Sequence, residues 1–426
     1  MFEALLNAFR APDLRRRILY VAGILMVFRL LAHVPVPGVD SEQLKTFLQT
    51  NQIFGLLDLF SGGGLTNFSV VALGVNPYIN ASIIMQLMTG VVPSLQALQR
   101  EGEYGRQKIN QYTRYLAVPM ALLQAYGFLA LLSSQNVLST PFDLGSWETL
   151  TQIVTLTAGS IVLMWLGELI TEKGIGNGIS FIIFAGIVSR TPGAIASFAS
   201  NPELARVVLF GIMAVAAVAV IIYVQEGQRR IPIQYASRVR GRRMYQGGQT
   251  FLPLRVNQAG VIPIIFAISI LLFPQQIASY FTTSSVKIVA DIATAITTFF
   301  NPNTPLYFIS YFLLVVGFTY FYTAFTFKPD ETAEQLRKNG GFIPGIRPGR
   351  PTQDYLARVV TRITVAGALF LGIVAALPPF VALVQPQLQG IALGGTGILI
   401  VVSVVVETMK QLEAQLLIRQ YEGFIR

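Results

Sequence analysis

Ten stretches of this chain are each apolar over nearly the length a helix needs to cross a bilayer: about 18–34, 70–92, 115–133, 150–170, 178–197, 207–224, 259–277, 306–327, 363–384 and 391–409. Runs of that length leave few options. In lipid only helices and closed barrels satisfy every backbone polar group, and these runs are far too long for barrel strands. The expectation is an all-α membrane protein, a ten-transmembrane-helix bundle. Composition agrees, since hydrophobic residues make up 53% of the 426 and charged residues only 12%, about half the usual ~25% of soluble domains. The run after Arg15-Arg16-Arg17 begins like a signal peptide. Arg29 interrupts it, however, and Pro35-Val36-Pro37-Gly38 follows in place of a small-x-small cleavage site, so a retained first span is expected.

The distribution of Lys and Arg sets an orientation. With the N-terminus in the cytoplasm, segments 10–17, 93–114, 171–177, 225–258, 328–362 and the C-terminal tail share one side and hold 26 of the 31 positive residues. The opposite side has Lys45, Arg190, Arg206 and Lys287. Both termini are therefore expected in the cytoplasm. Most basic loops need nothing beyond this rule. Loops 225–258 and 328–362 are different, with seven positive charges each over more length than a connection requires. Long loops usually carry function, and clustered arginines suit an anionic partner such as ribosomal RNA or an acidic protein face. No nucleic-acid motif accompanies them.

Catalytic chemistry is missing. The chain contains no cysteine and one histidine, His33, so disulfides, thiolate sites and a His-based metal cluster are out of reach. It has no G-x-x-x-x-G-K-[ST] loop, no HExxH and no GxSxG. The glycines of KGIGNGIS sit at a membrane loop rather than behind a strand, and a tight turn is the favoured reading over a nucleotide site. Charges in the apolar runs are limited to Arg29, with Glu168 and Glu407 towards span ends. Proton- and ion-coupled transporters generally need buried carboxylates or histidines as relays, so this scarcity counts against coupling, although carbonyls alone can bind sodium.

Some apolar segments are interrupted. A short one from Ile53 stops at Ser61-Gly62-Gly63-Gly64, too soon to span, and another starts near Val70. Span 2 begins GVNPYI (Gly74–Ile79) and span 7 contains GVIPII (Gly260–Ile265), both G-V-x-P-x-I and both second in a set of five. A duplicated 5+5 architecture follows as an expectation, with halves 1–200 and 201–426. Interrupted helices at corresponding positions of repeats point to a substrate path. Spans 5 and 10 also open on glycines, in GIGNGISFII and GGTGILIVV. Spans 2, 5, 7 and 10 are thus the irregular set, for which ordinary packing is the competing explanation. Two amphipathic segments, MFEALLNAF and VKIVADIATAITTFF, fit helices at the membrane interfaces or packing elements of the bundle equally well.

Taken in order, FSGGG, ALGVNPYINASIIMQL, EGEYGRQKINQYTRY, MWLGELITEKGIGNGISFIIFAGIV, VNQAGVIPIIFA, FYTAF, KNGGFIPGIRPG and LGGTGILIVV closely resemble the SecY family, the central subunit of the bacterial Sec protein-conducting channel. The likeness runs from about Leu14 to the last span. It implies two pseudo-symmetric five-helix halves and a plug half-helix at about 56–67, with Leu56, Leu57, Phe60, Ser61, Gly62, Gly63 and Gly64 in it and the glycines as its flexible part. It implies a pore ring of Val75, Ile79, Ile179, Ile183, Ile265 and Ile400; isoleucine is usual there, so Val75 departs mildly. An apolar ring offers an ion no substitute for its hydration. A lateral gate between spans 2, 3, 7 and 8 would carry Gln86, Gln124 and Asn257, hydrogen-bonded to one another when closed.

The resemblance further implies partners: SecE-like and SecG-like membrane subunits, signal-sequence-bearing polypeptides, lipids, and the SecA motor or the ribosome docked at Arg242, Arg243 and Arg347. The expected function is passage of unfolded secretory polypeptides across the bacterial cytoplasmic membrane, and lateral release of membrane segments, through a passive pore with no cofactor and no enzymatic activity. The alternatives are a repeat-built secondary transporter and an insertase scaffold without a continuous pore.

Overall fold

The computed structural model describes residues 9, 11–50, 58, 61–135, 137–139, 142–143, 145–199, 204–235, 238–240, 243–245, 248–282, 286–301, 304–384 and 389–425. A helix stands at each of the ten apolar runs. These are α1 (Pro12–Leu31), α3 (Asn76–Val91), α5 (Glu103–Ser134), α6 (Trp147–Lys173), α7 (Gly178–Ala199), α8 (Leu204–Glu226), α9 (Ile262–Phe281), α11 (Pro305–Thr326), α13 (Arg350–Val384) and α14 (Gln389–Ile425). Between them lie α2 (Ser41–Thr50), α4 (Pro93–Arg100), α10 (Lys287–Phe299) and α12 (Pro329–Lys338). Among the described residues, five helices are long and apolar enough on their own to cross a bilayer. A sixth joins them if α3 and α4, bent by 96° at their junction, form one span.

The two G-V-x-P-x-I motifs build the same local structure. Gly74 (φ 62°) and Gly260 (φ 65°) both take left-handed backbone. Val75 (φ −91°, ψ 3°) and Val261 (φ −96°, ψ −7°) then cap helices whose first turn holds Pro77 or Pro263. Proline is tolerated there because the first-turn amides have no intrahelical acceptor. The helices consequently start later than the apolar runs do, at Asn76 rather than 70 and at Ile262 rather than 259. α3 has 16 residues, a rise of about 24 Å against a ~30 Å hydrocarbon layer.

The glycines of spans 5 and 10 diverge. KGIGNGIS is a tight turn, as expected: Gly176 is left-handed (φ 79°), and a Cβ on Gly178 would stand 1.8 Å from the Gly167 carbonyl oxygen. GGTGILIVV does not interrupt its span, since α14 runs straight through Gly394, Gly395 and Gly397. Gly397 instead provides room for Ile187 of α7.

The two long basic loops are not merely loops. β1 (Gln228–Tyr235) pairs antiparallel with β4 (Gln249–Arg255), from Gln228 opposite Arg255 to Gln234 opposite Gln249. β2 (Arg238–Arg240) and β3 (Arg243–Tyr245) extend the hairpin towards its tip. From the second loop, β5 (Gly341–Phe342) joins the other edge of β1. Ile231, Ile233 and Leu254 of the sheet bury against Leu336 of α12, Ile343, and Leu356 of α13 in a core separate from that of the bundle. The two loops therefore fold as one unit.

Residues 62–75 form a chain of turns lodged between α1, α6 and α7. A Cβ on Gly62 would lie 2.7 Å from the Phe28 ring and 3.0 Å from the Gly186 Cα, and one on Gly159 would lie 1.9 Å from the Val70 carbonyl oxygen. Because the obstacle at Gly159 is backbone, Gly159→Ala is expected to destabilise the fold by about 1–3 kcal/mol. The check is a lowered melting temperature of the detergent-solubilised protein.

Candidate functional site

A cavity of about 870 Å³ opens between α3, α5, α6, α7, α9 and α11. Its charged lining comes from the first turns of α5 (Glu103, Lys108, Arg114) and the last turns of α6 (Glu168, Glu172). Arg114 Nε donates to Glu168 Oε1 at 2.7 Å and ties those two walls together. The apolar lining is Ile79 from α3, Ile179 and Ile183 from α7, and Ile262, Ile265 and Phe266 from α9. Four of the six expected ring residues thus meet in one space. The other two, Val75 and Ile400, are fully buried in the same apolar core, with Val75 on the residue that caps α3.

The interrupted segment is folded rather than slack. Ser61 Oγ donates to Asp58 Oδ1 at 3.3 Å, the Thr66 amide donates to the same oxygen at 3.0 Å, and the Thr66 hydroxyl donates to Oδ2. Every amide from Gly63 to Val70 finds an acceptor, the last being the Val34 carbonyl. Gly62 and Gly63 take left-handed backbone (φ 67° and 84°), which glycine adopts without strain, and Gly62 and Gly64 also allow close approach to Phe28 and Ser69. Leu56, Leu57 and Phe60 lie outside the described residues. The structure also brings in a residue to which the sequence assigned no partner: Arg29 Nη1 of α1 donates to the Gly62 carbonyl at 2.6 Å.

The polar trio does not bond to itself. Gln86 donates to Ser82 one turn earlier, at 3.2 Å, and Asn257 donates to the Gly260 carbonyl at 3.0 Å. Gln86 Oε1, Gln124 Nε2 and Asn257 Oδ1 have no partner. Their placement explains why. Gln86 lines the large cavity, Asn257 a separate one of about 220 Å³, and Gln124 neither. The seam is closed by shape instead. α3 and α5 pack against α9 across it, while Phe266 of α9 meets Phe318 of α11 edge-on at 6.0 Å on one side of it. A Cβ on Gly127 of α5 would sit 1.9 Å from the Tyr280 ring of α9.

The comparisons agree with this geometry. The SecY family model matches residues 69–409. The chain is 44% identical to the protein translocase subunit SecY of Streptomyces scabiei and 43% to that of Mycobacterium tuberculosis, over the full length of each chain. The chain belongs to the SecY family. Among solved structures it resembles one described as a protein conducting channel (TM-score 0.64, 19% identity, 93% of this chain and 91% of that one). It also resembles Sec61 in a canine ribosome–channel complex (TM-score 0.60, 18% identity, 93% and 91%). These likenesses place the helices of this SecY-family chain on the fold of SecY and Sec61 channels.

Of the three arginines matched to family docking positions, Arg347 is exposed on the turn between β5 and α13, its carbonyl fixed by the Thr352 hydroxyl at 2.9 Å. Arg243 opens β3, and Arg242 lies outside the described residues. Since the Tyr280 ring occupies the space where a Gly127 side chain would be, Gly127→Ala is expected to loosen the seam. It should cost about 1–3 kcal/mol of closed-state stability. Thermal melting, together with disulfide trapping of cysteine pairs placed across α5 and α9, checks this.

Proposed function

We propose that this chain is the central, passive subunit of a protein-conducting channel in the bacterial cytoplasmic membrane, passing unfolded secretory polypeptides across and releasing apolar segments sideways into lipid. The observation that carries this reading is the cavity whose charged lining gives way to Ile79, Ile179, Ile183 and Ile265, with a folded, buried segment packed among the neighbouring helices. An ion that reached the isoleucines would lose its hydration and gain no ligand. A flexible chain presents side chains that an apolar ring can surround without binding.

In this reading the plug is the segment at about 56–67, of which residues 58 and 61–67 are described. The Asp58–Thr66–Ser61 bonds make the start of that segment a preformed loop that moves as a piece, and Arg29 is its latch. The ring comprises Val75, Ile79, Ile179, Ile183, Ile265 and Ile400, and the halves 1–200 and 201–426 part along α3 and α5 against α9 and α11. The matching starts of α3 and α9 support that duplication. Gln86, Gln124 and Asn257 weaken the closed seam rather than hold it, because a buried polar atom without a partner costs about 1–3 kcal/mol. An apolar signal sequence entering the seam lets these groups hydrate or pair. Energy comes from outside: the unit formed by loops 225–258 and 328–362, through Arg242, Arg243 and Arg347, docks a SecA-like motor or the ribosome, and SecE-like and SecG-like subunits complete the channel. Both termini face the cytoplasm.

Two experiments test this. With no native cysteine to remove, Ile265→Cys and, as a control on an outward-facing residue, Val215→Cys can each be paired with a secretory chain arrested midway and carrying one cysteine. A disulfide at position 265 but not at 215 is expected. Absence of a bond at 265 across several arrest lengths in an engaged complex would return the scaffold and transporter readings. Arg29→Gln removes a charged hydrogen bond worth about 1.5–3 kcal/mol, or about tenfold or more in the latch equilibrium. Chloride influx into proteoliposomes holding the resting channel is expected to rise accordingly, and unchanged influx would remove Arg29 from the closing device.

A further inference from the structure

α10 joins α9 to α11 at the end of α9 opposite the basic sheet, and its surface divides into three faces. Successive helical residues are 100° apart, which sets Ile288, Ile292, Ala295 and Phe299 on one stripe. Lys287, Asp291, Thr294 and Thr298 fall on the stripe beside it. Both stripes are exposed. Ile288 is 71% and Ile292 56% accessible, high values for large aliphatic side chains. Only the third face, centred on buried Ala293, packs against the bundle, mainly against α9.

A helix packed on a water-soluble surface would bury its isoleucines and expose its threonines. This one leaves isoleucines and threonines uncovered side by side, with a sharp line between them. Such an arrangement suits one environment, the boundary where hydrocarbon meets water: the apolar stripe enters the acyl region, the polar stripe faces solvent, and the remaining face holds the protein. Continuity supports the assignment. Phe281 at the end of α9 and Leu306, Ile309 and Leu313 at the start of α11 are also exposed apolar side chains, on the two membrane helices that α10 connects. Exposed apolar side chains thus occur on α10 and on both membrane helices next to it in the chain.

We infer that α10 lies in the membrane–water interface on the face opposite the basic loops, with Ile288, Ile292 and Phe299 seated in lipid, and so fixes the height of α9 against the bilayer. The occupant is the lipid interface rather than another chain. The assignment requires only that the protein is membrane-embedded, and it stands or falls separately from the conduction reading.

The test uses the full chain with its membrane subunits in vesicles of phosphatidylethanolamine and phosphatidylglycerol. Ile288→Cys, Ile292→Cys, Asp291→Cys and Thr294→Cys each carry one environment-sensitive fluorophore, all at exposed positions where the fold is least disturbed. Labels at 288 and 292 are expected to emit blue-shifted light and to be quenched by lipids doxyl-labelled near the headgroup. Labels at 291 and 294 should be quenched by aqueous iodide. Iodide quenching at all four positions would overturn the inference by placing the helix in water. Protection of 288 and 292 from both quenchers would overturn it by showing that a protein partner covers the stripe. Neither readout depends on export activity.

Discussion

Hydrocarbon offers backbone amides no hydrogen bond, and this constraint governs where the chain can depart from helix. Residues 62–75 depart from it for fourteen positions in a row, and they do so enclosed by α1, α6 and α7, with the amides of 63–70 paired internally or to the adjacent loop. The partners are supplied by a few groups: Asp58 serves Thr66 twice, Ser61 serves Leu65, and the Gly64 carbonyl accepts from both the amide and the hydroxyl of Ser69. Arg29 occupies the Gly62 carbonyl. A plug of the kind proposed, with bonds that are largely internal, can move without exposing many amides at once.

The seam follows from the same scarcity of partners. Its polar groups were expected to bind one another, yet Gln86 and Asn257 bond locally and Gln124 Nε2 has no partner at all. The contact across the seam rests on side-chain shape, with the Tyr280 ring of α9 on Gly127 of α5. Contacts of this kind are strong only while they fit. A gate of the kind proposed, closed by packing and weakened by unpaired amides, suits a structure that opens for some sequences and stays closed to ions.

The helices were legible in the sequence because apolar length is a local property, and the starts of α3 and α9 were marked by glycine and proline within four residues. What escaped depended on distance along the chain or on the wrong emphasis. Arg29 was visible as a charge in an apolar run, but its acceptor lies 33 residues away. The Asp58–Thr66 pairing spans eight residues with no periodic signature, so the glycines beside it looked slack. The sheet was hidden by its own arginines. In RRIPIQY the alternation that buries Ile231 and Ile233 was present, but charge dominated the reading and the partner β5 comes more than a hundred residues later. Ring, gate and docking residues entered through resemblance, since an isoleucine lining a cavity has no chemical mark that distinguishes it from one in a core.

The sheet on the basic side has a mechanical meaning. β1 begins two residues after α8 ends, with the Gly227 amide still bonded to Tyr223 and its carbonyl to Val256, and β4 runs into α9 within seven residues. The same sheet is clamped by its own apolar core to α12 and the start of α13. Arg347 therefore stands on a unit joined by short connections and by its own apolar core to α8, α9 and α13 at once, and α9 is the helix on which both α3 and α5 rest.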